Sequence, residues 1–128
     1  MIYHGRKTNN LDDLPTVVTK VVTKLRPRQD KFDSIVVRGL SGVLVGTPVA
    51  LRLKKPLVVV RKGSERTHAR SEGWGQVVNG ERLGKRWLFL DDLTSQGGTL
   101  RACKRVLKDR GTHVATFLYQ HMTWQEHG

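Results

Sequence analysis

The sequence contains a single cysteine, Cys103, among 128 residues. This excludes an internal disulfide and a cysteine-based zinc site. Apolar runs long enough to span a bilayer are also missing, and the first residues lack the apolar core of a signal peptide. These absences predict a cytoplasmic protein in a reducing setting, with no membrane partner. The length and the lack of internal repeats favour one domain over residues 1–128.

Acidic residues are scarce compared with basic ones. The chain has 23 lysines and arginines against 11 aspartates and glutamates, which gives a net charge of +12. Such an excess indicates an anionic partner. Charge alone does not distinguish a nucleic acid surface from a small polyanion, so both partners stay open at this point.

Short apolar segments alternate with helical patterns along the chain. Residues 11–25 carry leucines and valines at helical spacing, whereas residues 57–61 are typical of a short buried strand. Strands that alternate with helices predict an α/β fold with a parallel sheet and right-handed crossovers. The predicted helices span 11–25, 43–54 and 99–110, the predicted strands span 32–37, 57–61, 86–90 and 113–119, and a hairpin is predicted near 76–82.

The most informative segment lies between residues 87 and 100, where an apolar strand ends in Asp91 and Asp92. A glycine-bearing turn and a helix follow, at the sheet edge where α/β proteins bind ligands. Gly97, Gly98 and Thr99 predict a phosphate cradle of free N–H groups at the helix start. The two carboxylates suit a neighbouring group rich in hydroxyls, so together the pattern indicates a sugar phosphate. The alternative is an ordinary turn in which aspartate serves only as a cap.

A second loop of this kind follows the strand over 32–37. It reads Arg38, Gly39, Leu40, Ser41 and Gly42, and it leads into the next predicted helix. An ordinary glycine-containing turn is the alternative for this loop when it is taken alone. The loop lies at the carboxyl end of a strand, on an earlier strand–helix unit than the acidic pair, and the helix after it begins with free N–H groups.

The segment over 88–100 resembles the phosphoribosyl pyrophosphate (PRPP) motif of the type I phosphoribosyltransferases, closest to the orotate and adenine enzymes. It departs from the family at Gln96, where a small residue is usual. The resemblance implies a Rossmann-like parallel sheet of four to five strands flanked by helices, with a flexible loop or hairpin and a minimal hood. It also implies transfer of the 5-phosphoribosyl group of PRPP to a nucleobase, with release of pyrophosphate, in nucleotide synthesis or salvage.

The resemblance assigns roles to individual residues. Asp91 and Asp92 are implied to be catalytic, holding the ribose diol and contacting Mg²⁺ mostly through PRPP and water. The 5′-phosphate is implied to bind the loop made of Thr94, Ser95, Gln96, Gly97, Gly98 and Thr99.

The pyrophosphate is implied to bind Arg61 and the upstream loop, which contains Arg38, Gly39, Leu40, Ser41 and Gly42. Family members often hold a non-proline cis peptide in this loop, here between Val37 and Ser41. The basic stretch after the second strand resembles the mobile catalytic loop of the family. Lys62, Arg66 and His68 are the implied catalytic residues of that loop, although a solvated charged loop is the alternative.

The acceptor base is not identified by the sequence. In the family, the acceptor base is recognised by a small hood that is built from terminal segments of the chain. The candidate residues for it here are Tyr3, His4, Tyr119, His121 and Trp124. No strand is predicted after Gln120, so we expect a trimmed enzyme, a homodimer in which a partner subunit completes the site.

The rival interpretation is a regulator on the same scaffold that senses PRPP or binds nucleic acid and is catalytically weak or inactive. It is favoured by a basic stripe on the last helix, formed by Arg101, Lys104, Arg105, Lys108 and Arg110. The alternative for that stripe is a solvated outer face. A degenerate domain with neither activity is the third interpretation.

Overall fold

The computed structural model describes residues 13–60, 77–78, 84–92, 98–107 and 110–127. Three α-helices lie in these ranges, namely α1 (Leu14–Leu25), α2 (Leu40–Leu53) and α3 (Gly98–Val106). A 3-10 helix over Arg26–Lys31 follows α1. The strands of the described residues are β1 (Ser34–Val37), β2 (Leu57–Val60), β3 (Val77–Val78), β4 (Arg86–Asp91), β5 (Thr112–Leu118) and β6 (Thr123–Glu126).

These strands form a six-stranded sheet in the order β3-β2-β1-β4-β5-β6. The four inner strands are parallel, and β3 and β6 pair antiparallel at the two edges. Val36 at the centre of β1 lies opposite Val58 of β2 and Phe89 of β4. The chain therefore runs from β1 towards one edge of the sheet and from β4 towards the other.

Both faces of the central strands β1 and β4 are buried, as is usual in parallel sheets, whereas β2 is half-buried on one face. Val37 and Leu90 point to the face covered by α1 and α2, and they belong to the larger core cluster. Val36 and Phe89 point to the opposite face and pack in the cluster that includes Cys103 of α3. The near-continuous apolar strands that the sequence shows are the consequence of this two-sided burial.

Helix α2 packs closely on the sheet through two glycines. A Cβ atom at Gly42 would lie 3.1 Å from the Cβ of Val37, and one at Gly46 would lie 2.7 Å from a methyl carbon of the same residue. These approaches hold the start of α2 directly above the carboxyl end of β1.

The predicted α/β fold is confirmed, with two corrections at the sheet edges. A strand after Gln120 was not expected, and this was wrong, because β6 pairs with β5 over Leu118 and Thr123. The sheet consequently has six strands in the described residues rather than four to five. The pattern hid β6 because this edge strand is short and polar, reading Thr-Trp-Gln-Glu.

The helix predictions are confirmed with shifted ends. The second helix was expected over 43–54 but begins at Leu40, and α3 ends at Val106 rather than at 110. Of the predicted hairpin near 76–82, Val77 and Val78 form β3 and the other residues lie outside the described ranges.

His113 has a buried imidazole near the amino end of β5. It therefore lies at the opposite end of the parallel strands from Asp91, the last residue of β4. An irregularity in the β4–β5 register brings His113 and Thr116 together, and the His113 Nε2 lies 2.8 Å from the Thr116 Oγ1. The ring centroid lies 5.0 Å from those of Trp87 and His127, and the three side chains help to line a cavity of about 280 Å³. Burial lowers the pKa of His113 to about 4, and the nearby His127 and Lys104 act in the same direction.

We expect Gly46→Ala to destabilise the protein, because its methyl group would overlap Val37. Overpacking of this kind costs roughly 1–3 kcal/mol, partly offset by the better helix propensity of alanine. The measurement is urea denaturation, with Gly98→Ala as the matched control. Within the described ranges, a Cβ at Gly98 would approach only the Arg101 guanidinium, at 4.0 Å. Equal stability of the two variants would contradict the close packing of α2.

Stability should fall as the pH falls from about 6.5 to about 4. In this window the unfolded chain binds a proton at His113 and the native state does not, because the native pKa is lowered from 6.5 to about 4. The free energy of unfolding measured against pH should lose part of this slope in His113→Gln. The control is His121→Gln, since His121 is exposed in the turn between β5 and β6. If the free energy of unfolding of His113→Gln depends on pH as steeply as that of the wild type, His113 does not cause the pH dependence.

Candidate active site

The candidate site lies where β1 and β4 end side by side. These neighbouring parallel strands end at Val37 and Asp91, and the chain then leaves towards opposite faces of the sheet, into α2 after β1 and towards α3 after β4. In open α/β sheets, the place where neighbouring connections diverge in this way is the usual ligand site.

Asp91 and Asp92 are held by the sheet at this edge. Asp91 is the last residue of β4 and is 7% exposed, and its Oδ1 accepts a hydrogen bond of 2.9 Å from the Asp92 backbone N–H. The carbonyls of Asp91 and Asp92 accept hydrogen bonds of 2.9 Å from the N–H groups of Tyr119 and Gln120. The backbone under both carboxylates therefore continues the β4–β5 ladder.

The loop after β1 depends on Gly39. This residue has φ 94° and ψ 162°, a conformation that is strained for any residue with a side chain. Its carbonyl accepts a hydrogen bond of 3.1 Å from Val43 N–H, so α2 begins at once. The first N–H groups of α2 have no carbonyl of the helix to bind, and the helix dipole places a partial positive charge at this terminus. The cis peptide expected in this loop is absent, because the peptide bonds of the described residues are all trans.

Arg38 lies on the α3 side of the sheet, since side chains alternate along β1 and Val36 faces α3. Its charge acts on the Cys103 thiol of α3, as does that of Asp91. The two charges oppose each other, and burial raises the pKa of Cys103 to about 12. Within the described part of the chain, the buried Arg38 Nε has no hydrogen-bond partner. The site thus holds a cationic group on the same face as the carboxylate of Asp91.

Helix α3 begins at Gly98, and its first turn contains no acidic residue. Among the residues that the structure describes, a Cβ added at Gly98 would approach only the Arg101 guanidinium, at 4.0 Å. Gly98 and the half-buried Thr99 therefore form the helix N-terminus that follows the acidic pair along the chain. Such a terminus favours an anion through its free N–H groups and dipole.

Several predicted site residues lie outside the described ranges. In the loop before α3 these are Thr94, Ser95, Gln96 and Gly97, and after β2 they are Arg61, Lys62, Arg66 and His68. Of the hood candidates, Tyr3 and His4 also lie outside these ranges.

The remaining hood candidates have different surroundings. Trp124 of β6 packs against Phe32, with the ring centroids 6.4 Å apart. The Arg28 guanidinium lies over the Trp124 ring, 5.0 Å from its centroid. His121 is exposed in the turn that follows β5. Tyr119 is 1% exposed and belongs to the core.

The structure also reveals a link that sequence reasoning missed. The Tyr119 hydroxyl donates a hydrogen bond of 3.3 Å to the carbonyl of Ser41 in the first turn of α2. No local sequence signal indicates this contact, because its partners are 78 positions apart. It depends on the tertiary packing of α2 over the end of β5.

Neither a metal-binding cluster nor a membrane-spanning helix is found in the described ranges. Histidine, cysteine, aspartate and glutamate side chains do not gather there in groups of three or more that could hold a metal ion. The helices of these ranges are also too short or too polar to cross a bilayer.

Proteins similar in sequence to this chain include an orotate phosphoribosyltransferase and an HGPRTase-like protein. An orotate phosphoribosyltransferase from Pyrococcus abyssi is 26% identical over 121 residues, which cover 86% of this chain and 64% of that protein. HGPRTase-like protein 1 from Haloquadratum walsbyi is 36% identical over 109 residues, which cover 79% of this chain and 57% of that protein. No protein-family model matches the sequence.

The fold is shared with solved structures. An adenine phosphoribosyltransferase from Leishmania donovani superposes with a TM-score of 0.63 at 18% identity, over 85% of this chain and 52% of that one. The chain thus spans between about half and two thirds of the lengths of these relatives. Sequence relatives and fold agree with the acidic pair before a glycine-bearing helix start, and the chain is similar to phosphoribosyltransferases in sequence and in fold.

Proposed function

We propose that this protein transfers the 5-phosphoribosyl group of PRPP to a nucleobase and releases pyrophosphate. The observation that carries the proposal is the position of Asp91 and Asp92 at the carboxyl end of β4, between the N-termini of α2 and α3. Two anion-binding helix starts on either side of two carboxylates match a sugar that bears phosphates at both ends.

The reaction breaks the bond between the ribose C1 carbon and a pyrophosphate oxygen, and a nitrogen of the base forms the new bond to C1. Positive charge develops on the ribose ring as the pyrophosphate leaves. The carboxylates of Asp91 and Asp92 would hold the ribose hydroxyls and stabilise that charge. Their backbone is anchored by Tyr119 and Gln120, so little reorganisation is needed during the reaction.

The two ends of PRPP would bind on different elements. Gly98 and Thr99, with residues 94–97, would hold the 5′-phosphate at the start of α3. The loop over 38–42 would hold the pyrophosphate through the N–H groups at the start of α2, and Arg38 would add a positive charge. Arg61, Lys62, Arg66 and His68 would close over the pyrophosphate, exclude water and neutralise the leaving group.

Mg²⁺ fits this site as the metal ion. Asp91 and Asp92 supply carboxylate oxygens, which this ion prefers, and no larger protein cage is needed for an ion that keeps much of its water. When bound, it would neutralise charge on the pyrophosphate. The two carboxylates would orient it mostly through PRPP and water.

Four points stay predictions: the identity of the acceptor base, the role in nucleotide salvage or synthesis, the homodimer and the cytoplasmic location. The regulator that senses PRPP or binds nucleic acid is less favoured, because the relatives named above are phosphoribosyltransferases. The exposed Arg101, Lys104 and Arg105 of α3 are accounted for as a solvated outer face.

The test is a panel of acceptor bases. The purified protein is incubated with Mg²⁺, PRPP and adenine, hypoxanthine, guanine, uracil or orotate in turn, and pyrophosphate release is measured. We expect release with at least one base, and protection of the protein by PRPP and Mg²⁺ against thermal unfolding. If PRPP protects the protein but none of the five bases gives pyrophosphate release, the proposed enzymatic activity is wrong and the regulator is favoured.

The double variant Asp91→Asn with Asp92→Asn should lose turnover and keep the fold. Amides preserve the size of the side chains but remove the charges that stabilise the ribose ring, so kcat/KM should fall by about 100-fold or more. Circular dichroism and thermal unfolding check the fold. Near-normal turnover in the double variant would refute the role of the acidic pair.

Asp33→Asn is the matched control for this experiment. Asp33 precedes the amino end of β1, away from the site, and its Oδ1 accepts a hydrogen bond of 2.9 Å from Arg86. This hydrogen bond is the main cause that lowers the pKa of Asp33 to about 2. The control should lower stability and leave kcat/KM unchanged.

A further inference from the structure

Tyr119 makes hydrogen bonds to both loops of the candidate site. It follows β5 directly, and its N–H donates to the carbonyl of Asp91 at 2.9 Å. Its hydroxyl donates to the carbonyl of Ser41 at 3.3 Å. One residue therefore connects the acidic pair at the end of β4 with the loop after β1. These two segments are far apart in the sequence.

The start of α2 is held by the packing of its glycines on Val37 and by the hydrogen bond from Tyr119. Gly39 at its N-cap has no side chain to cap the helix, and Leu40 is 74% exposed. Gly42 approaches Val37 closely but has no side chain to interlock with the sheet. Beyond the first hydrogen bond of the helix itself, between Gly39 and Val43, the Tyr119 hydroxyl makes a polar contact that ties this turn to the end of β5.

The Tyr119 ring is itself held rigidly. It is 1% exposed and lies in the core cluster that also contains Val37, Val45 and Leu90. A buried, packed ring keeps its hydroxyl in one place, so the contact can set the position of the Ser41 carbonyl relative to Asp91. A shift of this turn would displace the N–H groups at the start of α2 by a similar distance.

We propose that Tyr119 is a positioning residue that holds the loop over 38–42 at a set distance from Asp91 and Asp92. It does not touch the substrate. It acts through Ser41 on the N–H groups that bind pyrophosphate, and the inference rests on the proposed function in that respect. Its effect should appear in the affinity for the pyrophosphate end of PRPP and leave binding of the acceptor base unchanged.

The test is Tyr119→Phe, which removes the hydroxyl and keeps the ring and the backbone N–H. Binding of inorganic pyrophosphate and of PRPP, each with Mg²⁺, is measured by calorimetry on the wild type and the variant. We expect the Kd for pyrophosphate to rise about fivefold, as for loss of one neutral hydrogen bond. With an accepted base, KM for PRPP should rise similarly, while KM for the base and kcat change little.

Thr116→Val is the matched control. It removes a buried hydroxyl of β5 that lies 2.8 Å from the His113 Nε2, on the face of the sheet away from α2. It should lower the unfolding temperature, as Tyr119→Phe does, without changing the Kd for pyrophosphate.

Two results would overturn the inference in distinguishable ways. If the wild type binds pyrophosphate and Tyr119→Phe binds it equally well despite lower stability, the hydroxyl serves the core alone and the positioning role is wrong. If the wild type binds neither PRPP nor pyrophosphate, the proposed function fails and the role of Tyr119 fails with it.

Discussion

The parallel pairing of β1 with β4 is the constraint on which the candidate site depends. Their register sets Val36 opposite Phe89, so the two strands end at the same edge of the sheet. Both strands are buried on both faces, which leaves little freedom for their ends to move. The residues at and directly after these ends are therefore held beside each other: Arg38 and Gly39 after β1, and Asp91 and Asp92 at the end of β4.

The chemistry of the site arises from backbone as much as from side chains. Helices α2 and α3 begin beside the carboxylates, on opposite faces of the sheet, and each presents N–H groups without helical partners. Glycines make this arrangement possible: Gly39 through a positive φ, Gly42 and Gly46 through close approach to Val37. Positive potential from these helix ends and from Arg38 surrounds a small acidic centre, as a ligand with phosphates around a diol requires.

Much of the fold was predictable because parallel strands buried on both faces leave a strong apolar signal. The inner strands and the helices were recognised within a few residues, and the order of acidic pair, glycine turn and helix indicated the ligand-binding edge. Strand β6 was missed because an edge strand needs no apolar pattern. The cis peptide expected from resemblance was wrong, and here Gly39 forms the turn with a trans backbone and φ 94°.

By itself, the sequence determined the alternation of strands and helices and the local chemistry at the ends of β1 and β4, since both depend on neighbouring residues. Only the tertiary structure decided which loops meet, because β1 and β4 are adjacent in the sheet but far apart in the chain. It likewise decided that Arg38 faces α3, that Trp124 packs on Phe32, and that the Tyr119 hydroxyl contacts Ser41. Such contacts follow from how the helices pack on the sheet, and no short stretch of sequence contains that information.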